Sequence, residues 1–310
     1  MKVSDFTFKD SEGVEIFTYK WEPDVSAAKG IVQIIHGISE HARRYEHFAE
    51  VLTDAGYIVY AHDHRGHGRT AAKTDLLGHA GVDGWNWIVK DIIELTKIIR
   101  EQQPNLPLFI FGHSMGSFAL RQVMYENNDL WNIKGFILSG TGGSSTFMLI
   151  FGKFLCKQII RRHGRNKISE LISGLSFYNF NAKCPEKRTP FDWLSRDQDE
   201  VNKYIRDPLC GQTCSAGFYY DFFNGILAVQ NLLNVERLPK SVPILIFSGE
   251  MDPVGRYGKV VTKLVNIYQR SGIQDITFKL YEGGRHEMLN EINREKVISD
   301  ILMWIGSKNK

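Results

Sequence analysis

The sequence predicts an α/β fold, with a doubly wound, mostly parallel sheet and an inserted, mainly helical cap. Apolar runs rich in β-branched residues recur along the 310-residue chain, and a run that is apolar throughout indicates a strand buried on both faces of a parallel sheet. Helical patterns separate these runs, and the alternation fails in one long stretch. The predicted strands are 30–35, 57–61, 106–111, 133–138, 242–247 and 276–281.

Two segments before the first of these strands predict an antiparallel hairpin. They cover 2–9 and 14–21 and flank the turn residues Asp10, Ser11 and Gly13. We expect this hairpin to extend the parallel sheet at one edge.

The longest helical pattern in the first half of the chain covers 83–103. Asp83 is a candidate N-cap, and Pro104 ends the pattern. Apolar residues recur at the spacing of one helical face, which we expect to pack on the sheet. They are Ile88, Ile92, Leu95 and Ile99.

Between about 143 and 217 no strand pattern occurs. We therefore interpret 144–216 as a helical cap inserted into a core formed by 1–143 and 217–310. The first cap helix, 147–162, has an apolar face that either packs on the core or touches lipid. That face carries Phe147, Ile150, Phe151, Phe154, Leu155 and Ile159, and the basic face carries Lys153, Lys157 and Arg161.

Composition excludes several classes of protein. Lys plus Arg is 38 and Asp plus Glu is 35, too balanced for a dedicated nucleic-acid binder. No window approaches 18 apolar residues, and the N-terminus lacks the apolar region of a secretory signal. We expect a cytoplasmic protein, with peripheral membrane contact through the cap as an alternative, and reduced thiols at all four cysteines. Cys210 and Cys214 resemble half of a zinc site, but no second pair follows at ligand spacing.

The strongest local signal is G-x-S-x-G at 112–116, preceded by a strand and followed by a helix. Glycines on both sides permit a tight, strained turn that projects the hydroxyl of Ser114. A serine hydroxyl is a weak nucleophile at neutral pH, so it needs a general base and a group that orients the base. The motif predicts a serine hydrolase.

In this kind of sheet the partners follow in the order serine, acid, histidine. Asp252 and His286 follow the last two predicted strands in that order, and Glu250 is an alternative acid on the same loop. The order disfavours an earlier histidine as the base; those histidines are His36, His62, His64, His67 and His113.

The reaction also needs donors aimed at the oxyanion that develops in the transition state. We expect the backbone N–H groups of Met115, which follows the nucleophile, and of Ile38, which follows the first parallel strand.

Two patterns invite other interpretations. His62, His64 and His67 could chelate zinc, but Arg65 among them would repel a divalent ion. The glycines at 140–143 miss G-x-G-x-x-G, and no acidic ribose partner follows. We predict neither a metal nor an organic cofactor.

The segments HGISEHARRY, DHRGHG, GHSMGS, GEMDPV and GGRHE together resemble the α/β-hydrolase fold, and within it the branch of monoacylglycerol lipases and lysophospholipases. The resemblance spans nearly the whole chain. It implies Ser114, Asp252 and His286 as the triad and the amides of Ile38 and Met115 as the oxyanion hole.

The same resemblance implies a role for Glu40 and Arg44 in holding the polar glycerol end of a substrate. The alternative is a salt bridge that only orders the loop. His113, beside the nucleophile, is a third candidate for substrate contact. Ile38 is bulkier than the small residue often found there, and its side chain would narrow the alcohol side of the pocket.

We therefore expect a hydrolase of acyl esters with a small polar alcohol, either monoacylglycerols or lysophospholipids. A general carboxylesterase, an aminopeptidase-like amide hydrolase and a ligand-sensing scaffold without catalysis remain alternatives. Acyl length, head group and oligomeric state stay open. The cap residues expected to line the acyl tunnel are Phe147, Phe151, Phe154, Leu171, Leu175 and Phe177.

Overall fold

An eight-stranded sheet forms the centre of the molecule. The computed structural model describes residues 1–25, 27–72, 76–126 and 133–309. Within them the strands follow the order β1-β2-β4-β3-β5-β6-β7-β8. Their bounds are β1 Lys2–Lys9, β2 Glu15–Glu22, β3 Gly30–Ile35, β4 Tyr57–His62, β5 Leu108–His113, β6 Ile133–Ser139, β7 Ile244–Gly249 and β8 Ile276–Tyr281.

The predicted hairpin lies where the sequence places it. Strands β1 and β2 pair antiparallel with Lys2 opposite Glu22, and β2 then pairs antiparallel with β4. The pairs from β4 through β8 are parallel. Every residue of β3, β4, β5 and β7 is buried, as apolar runs in a covered parallel sheet predict. The fold class is confirmed.

Helices cover both faces of the sheet. The apolar sides of α1 and α11 pack on one face, and those of α3, α4, α8 and α10 pack on the other. The helices of the described residues are α1 Glu46–Asp54, α2 Gly68–Ala72, α3 Gly84–Gln102, α4 Met115–Glu126, α5 Thr146–His163, α6 Glu170–Ser176, α7 Gln198–Arg206, α8 Ala216–Gln230, α9 Leu232–Glu236, α10 Lys259–Arg270 and α11 Arg294–Lys308.

Helix α3 buries the predicted apolar face, but its N-terminus is not capped by the predicted residue. Ile88, Ile92, Leu95 and Ile99 are all buried. Asp83 occupies the N-cap position in a left-handed conformation, and its side chain makes no capping hydrogen bond. Instead the amide of Gly84 donates to Asp221 of α8 at 2.9 Å. A residue distant in the sequence thus supplies the cap.

The stretch without strand pattern is helical and irregular in the structure as well. Helices α5, α6 and α7 lie between β6 and β7, followed by α8, which packs beside α3 and α4. The bounds of the cap as a separate unit, 144–216, stay a prediction.

Candidate active site

Ser114 lies at the junction of β5 and α4, at the carboxyl edge of the sheet. Its φ of 51° is in the left-handed region, and its amide donates to the carbonyl of Ser139 at 2.9 Å. The flanking glycines are required by contact. A Cβ on Gly112 would lie 2.6 Å from the Gly116 carbonyl oxygen, and one on Gly116 would meet the carbonyl oxygens of Ile35 and His36. The predicted strained turn is therefore present.

His286, which lines the same cavity as Ser114, is hydrogen-bonded to Asp252. His286 Nδ1 is 3.0 Å from both carboxylate oxygens of Asp252. Because an ionised carboxylate only accepts hydrogen bonds, Nδ1 carries the proton and Nε2 remains a base. Asp252 also accepts from Ser248 Oγ and from the Val254 amide, each at 2.8 Å. Glu250, the alternative acid, is exposed.

Burial of His286 disfavours its imidazolium form. The charge and hydrogen bonds of Asp252, with smaller contributions from Glu287 and Glu40, outweigh that effect and raise the pKa of His286 above its usual value. This direction suits a base that must hold a proton during the reaction.

The loop of the expected oxyanion donors lies against the nucleophile. A Cβ on Gly37 would be 3.2 Å from Ser114 Cβ and 2.7 Å from Glu40 Oε1. Ile38 and Met115 both line a cavity that Ser114 also lines. Met115 begins α4, and the first amides of a helix have no partner within it.

Glu40 and Arg44 contact each other and a third residue that the motif analysis did not assign. Arg44 donates to Glu40 at 2.7 Å and, through both terminal nitrogens, to Glu287 at 2.7 Å. Glu40 also accepts from the Gly37 amide at 2.5 Å and from Tyr45 at 2.9 Å. The guanidinium stacks on the Tyr204 ring. This buried group of Glu40, Arg44 and Glu287, called the carboxylate clamp below, joins the loop after β3 to the loop that carries His286.

The two carboxylates of the carboxylate clamp have pKa values shifted in opposite directions. Burial raises the pKa of Glu287, but the bidentate Arg44 outweighs it and sets that pKa at about 2. Burial dominates at Glu40 and raises its pKa, with Arg44 opposing and Glu287 adding to the shift. One guanidinium facing two carboxylates leaves the clamp with a net negative charge once both are ionised.

His113 is buried beside the triad. Its ring centroid lies 4.7 Å from that of His286, and its Nδ1 is 3.1 Å from Ser139 Oγ. Burial, together with the charges of His286 and Arg44, holds its pKa well below the usual value despite the opposing charge of Glu287. His113 therefore presents a neutral ring to the active-site cavity.

Two cavities meet at Ser114. The first, of about 360 Å³, has the more polar wall of the two and is called the polar cavity below; its wall combines Glu40, His113, Glu170, His286 and Glu287 with aromatic rings such as Phe191 and Trp193. The second, of about 320 Å³, is mainly apolar, with walls that include Phe118, Leu155, Phe222 and Phe223. Ile38, Ser114 and Phe177 line both cavities. Such a junction can hold an acyl chain on one side of a reacting carbonyl and a polar group on the other.

The expected acyl-tunnel residues divide into two groups. Phe151, Leu175 and Phe177 line the apolar cavity. The other three, Phe147, Phe154 and Leu171, are exposed and do not line it. The helical repeat placed Phe147 and Phe154 with the inward residues, but the packed side of α5 runs through Leu149, Gly152 and Cys156.

The histidines of the zinc interpretation form a buried network. His64 Nδ1 is 3.1 Å from His62 Nε2, the His64 amide donates to His36 Nε2 at 3.0 Å, and His67 Nδ1 is 2.9 Å from the Arg65 carbonyl. Burial lowers the pKa values of His62 to about 3 and of His67 to about 4. These neutral rings brace the loop after β4. Among the described residues, the grouping with metal-ligand spacing is instead His41, Asp207 and Cys210, where His41 Nε2 is already 2.8 Å from Asp207.

The family model described as serine aminopeptidase, S33, matches residues 26–293, which include all the residues of this site. The chain belongs to this α/β-hydrolase family. A monoacylglycerol lipase of Mycolicibacterium smegmatis is 28% identical, with 98% of this chain and 97% of the relative aligned. The monoglyceride lipase of Homo sapiens is 27% identical, over 96% of this chain and 89% of the relative.

Solved structures agree with the family. A thermostable carboxyl esterase from Bacillus coagulans, solved in complex with glycerol, superposes with a TM-score of 0.92 at 30% identity, covering 100% of both chains. This chain is a carboxylic ester hydrolase of the lipase-like type. Among the described residues of the hydrolase, no helix combines the length and the apolar character needed to cross a bilayer.

The cap contributes residues to the site that the motifs of the hydrolase do not reveal. The Trp193 ring lies 5.0 Å from the His286 ring, and its carbonyl accepts from the His286 amide at 3.3 Å. The Glu287 amide donates to the Leu194 carbonyl at 2.8 Å, and Arg285 donates to the carbonyls of Asp192 and Ser195. The histidine loop is thus fastened to segment 192–195. The sequence signal for Glu287 was its position directly after His286. The signal for Trp193 was the cap segment FDWLSRDQDEVNKYIRDPLC, which resembles the same branch of the family but did not single out this residue.

Proposed function

We propose that the protein hydrolyses monoacylglycerol-type esters with Ser114, His286 and Asp252 as a catalytic triad. The observation that carries the proposal is the junction of the polar and the apolar cavity at Ser114, with His286, hydrogen-bonded to Asp252, in the wall of the polar cavity. An ester of a fatty acid with a small polar alcohol would place its acyl chain in the apolar cavity, its carbonyl at Ser114 and its alcohol in the polar cavity.

In the proposed reaction, Ser114 Oγ attacks the ester carbonyl while His286 Nε2 takes its proton. The amides of Ile38 and Met115 donate to the oxyanion. His286 then protonates the leaving alcohol, and an acyl-enzyme remains on Ser114. A water molecule, activated by the same imidazole, attacks the acyl-enzyme and releases the fatty acid. Asp252 fixes the tautomer and stabilises the imidazolium in both steps.

Charge in the polar cavity favours a neutral alcohol. Its walls carry Glu40, Glu170 and Glu287, while the guanidinium of Arg44 is committed to the clamp and lies outside the lining. A phosphate diester would meet these carboxylates, and no Lys or Arg is among the described residues that line the cavity. We therefore propose glycerol rather than phosphoglycerol as the head group, held through its hydroxyls by the wall of this cavity.

We further propose that the outer face of the cap docks on a lipid surface. Apolar side chains on α5 and α6 face solvent, with Phe147 74% exposed. Phe151 and Leu175 belong both to this surface and to the wall of the apolar cavity. The surface, called the cap patch below, therefore adjoins the route to Ser114. Its exposed large apolar residues are Phe147, Met148, Ile150, Phe151, Phe154, Leu171, Leu175 and Tyr178.

A matched panel of substrates tests the chemistry. At one acyl length, we expect hydrolysis of monoacylglycerol to be faster than that of lysophosphatidylglycerol, and hydrolysis of an aminoacyl amide to be negligible. A fluorophosphonate probe should label the wild type and the Ser307→Ala control but not Ser114→Ala. Labelling of Ser114→Ala would contradict the nucleophile. Faster cleavage of the lysophospholipid would contradict the head group while leaving the triad intact.

A second candidate function rests on the family description and on the same carboxylates. An aminopeptidase needs negative charge to hold a free amino terminus, and Glu40, Glu170 and Glu287 lie in the polar cavity. In the panel, faster turnover of the aminoacyl amide than of the esters would establish that function instead.

A further inference from the structure

A third cavity lies away from the triad, between the start of α5, the end of α8 and the side of α10. It has a volume of about 320 Å³, and its charged lining residues are Arg121, Arg256 and Lys263. No carboxylate is among the described residues that line it. We call it the basic cavity.

Arg121 is the buried charge of the basic cavity. It lies on α4 and is 2% exposed. Its guanidinium donates to the carbonyls of Gly142 and Val229 at 3.0 and 3.1 Å and to the Tyr268 hydroxyl at 3.1 Å. These acceptors satisfy N–H groups but carry no negative charge. Across the described part of the chain, no Asp or Glu forms an ion pair with Arg121, and a buried charge without a counter-charge is costly.

The start of α5 adds a second feature that suits an anion. Residues 144–146 line the basic cavity, and the N-cap Ser145 makes no side-chain capping hydrogen bond. The Ser145 side chain therefore leaves the first amides of the helix uncapped, at the positive end of the helix dipole. The Ser144 amide donates to Gln230 Oε1 at 2.7 Å, which fixes the loop that leads into the helix.

We propose that the basic cavity binds an oxyanion, a carboxylate or phosphate group, as a site separate from the catalytic one. One side of its wall is apolar and includes Val229, Val260, Leu264 and Ile267, opposite the polar residues 144–146 and Gln230. This wall favours an anion carried on a short apolar chain over an inorganic ion. Gly143, Ser144 and Arg256 line both this cavity and the apolar cavity at Ser114. The ligand would therefore contact the loop that forms one end of the acyl site.

Titration calorimetry of the full chain tests this without relying on catalysis. The probes are octanoate, octanol with the same chain but no charge, and inorganic phosphate. Octanoate should bind more tightly than both. Lys263→Glu reverses an exposed charge that lines only the basic cavity, so the affinity for octanoate should fall by about tenfold or more while that for octanol is unchanged. Arg270→Glu, at the far end of α10, should change neither affinity by more than about twofold.

Three outcomes would overturn the proposal or part of it. Absence of binding by octanoate and phosphate at about 10 mM contradicts the site. An octanoate affinity that Lys263→Glu leaves unchanged places the anion elsewhere, for example at Ser114. Phosphate binding as tight as that of octanoate, and equally sensitive to Lys263→Glu, contradicts the preference for a chain-borne anion but supports the oxyanion site.

A second variant tests the buried charge. Arg121→Gln, if it folds with a normal unfolding transition, should bind octanoate no more tightly than octanol.

Discussion

The loops around Ser114 and the cap patch differ in how their side chains are partnered. In the loops, buried charged groups have partners within the chain: Asp252 with His286, and Arg44 with Glu40 and Glu287. In the cap patch, large apolar side chains are instead exposed to solvent, and Tyr178 is 72% exposed. The charged groups of the loops are thus paired within the fold, whereas the apolar side chains of the cap patch are suited to contact with a surface outside the protein. Substitutions should therefore act on chemistry or folding in the first region and on delivery of substrate in the second.

The largest effect expected in the loops is that of Asp252→Asn. The amide would favour the wrong tautomer of His286 and would not stabilise its imidazolium, so kcat should fall by about 10⁴-fold. Glu250→Gln, on the same loop but exposed, should retain most of the activity. Steady-state kinetics on a short ester measure both, and the reverse pattern would assign the acid to Glu250.

Arg44→Gln tests whether the carboxylate clamp supports the fold. It would leave two buried carboxylates facing each other without a cation, so the free energy of unfolding should fall by about 3–5 kcal/mol. Arg43→Gln is the matched control, because Arg43 is 59% exposed and its pair with Glu46 is on the surface. Urea unfolding measures both. A stable Arg44→Gln protein with a raised KM would show instead that Arg44 contacts the substrate.

For the cap patch, the triple substitution Lys153→Gln, Lys157→Gln and Arg161→Gln should leave folding unchanged. It should weaken binding to anionic vesicles by about 1 kcal/mol for each charge that lies near the lipid, and added salt should weaken wild-type binding in the same way. Activity on vesicle-borne substrate should fall while hydrolysis of a short water-soluble ester is spared. Vesicle sedimentation and paired assays measure these effects.

The control for net charge is a triple variant with Lys97→Gln, Arg270→Gln and Lys296→Gln, all on helices of the core. This variant should bind vesicles as the wild type does. If the cap triple lowers both activities equally, α5 has a structural role and the contrast between the two regions is wrong.

The smallest expected effect is on the pH profile. Because the pKa of His286 is raised and its neutral form is the base, kcat/KM should rise with pH through an apparent pKa above the usual histidine value and be lost below it. Glu287→Gln removes a charge that stabilises the imidazolium, so the apparent pKa should shift downward. Glu250→Gln should leave the apparent pKa unchanged. Equal shifts in both variants would show that the charge of Glu287 has no specific effect on the pKa of His286.

The sequence by itself determined the sheet, the order of its parallel strands along the chain and the motif around Ser114. Strand periodicity and glycine requirements are local: β3 occupies its predicted bounds, and Gly112 and Gly116 are needed by contacts within the turn. Asp252 and His286 could be named because parallel strands bring their carboxyl ends to one edge, so order along the chain becomes position in space.

Only the tertiary structure decided which groups meet across long separations. Asp221 caps α3 from 137 residues away, and Glu287 pairs with Arg44 from 243 residues away. Periodicity gave α5 an apolar face but could not say which apolar residues face inward, because that depends on where Phe223 of α8 approaches Gly152. The basic cavity depends in the same way on three elements converging, so its charges are scattered in the sequence. Local patterns specify elements and short turns, whereas burial and charge pairing depend on packing between elements far apart in the chain.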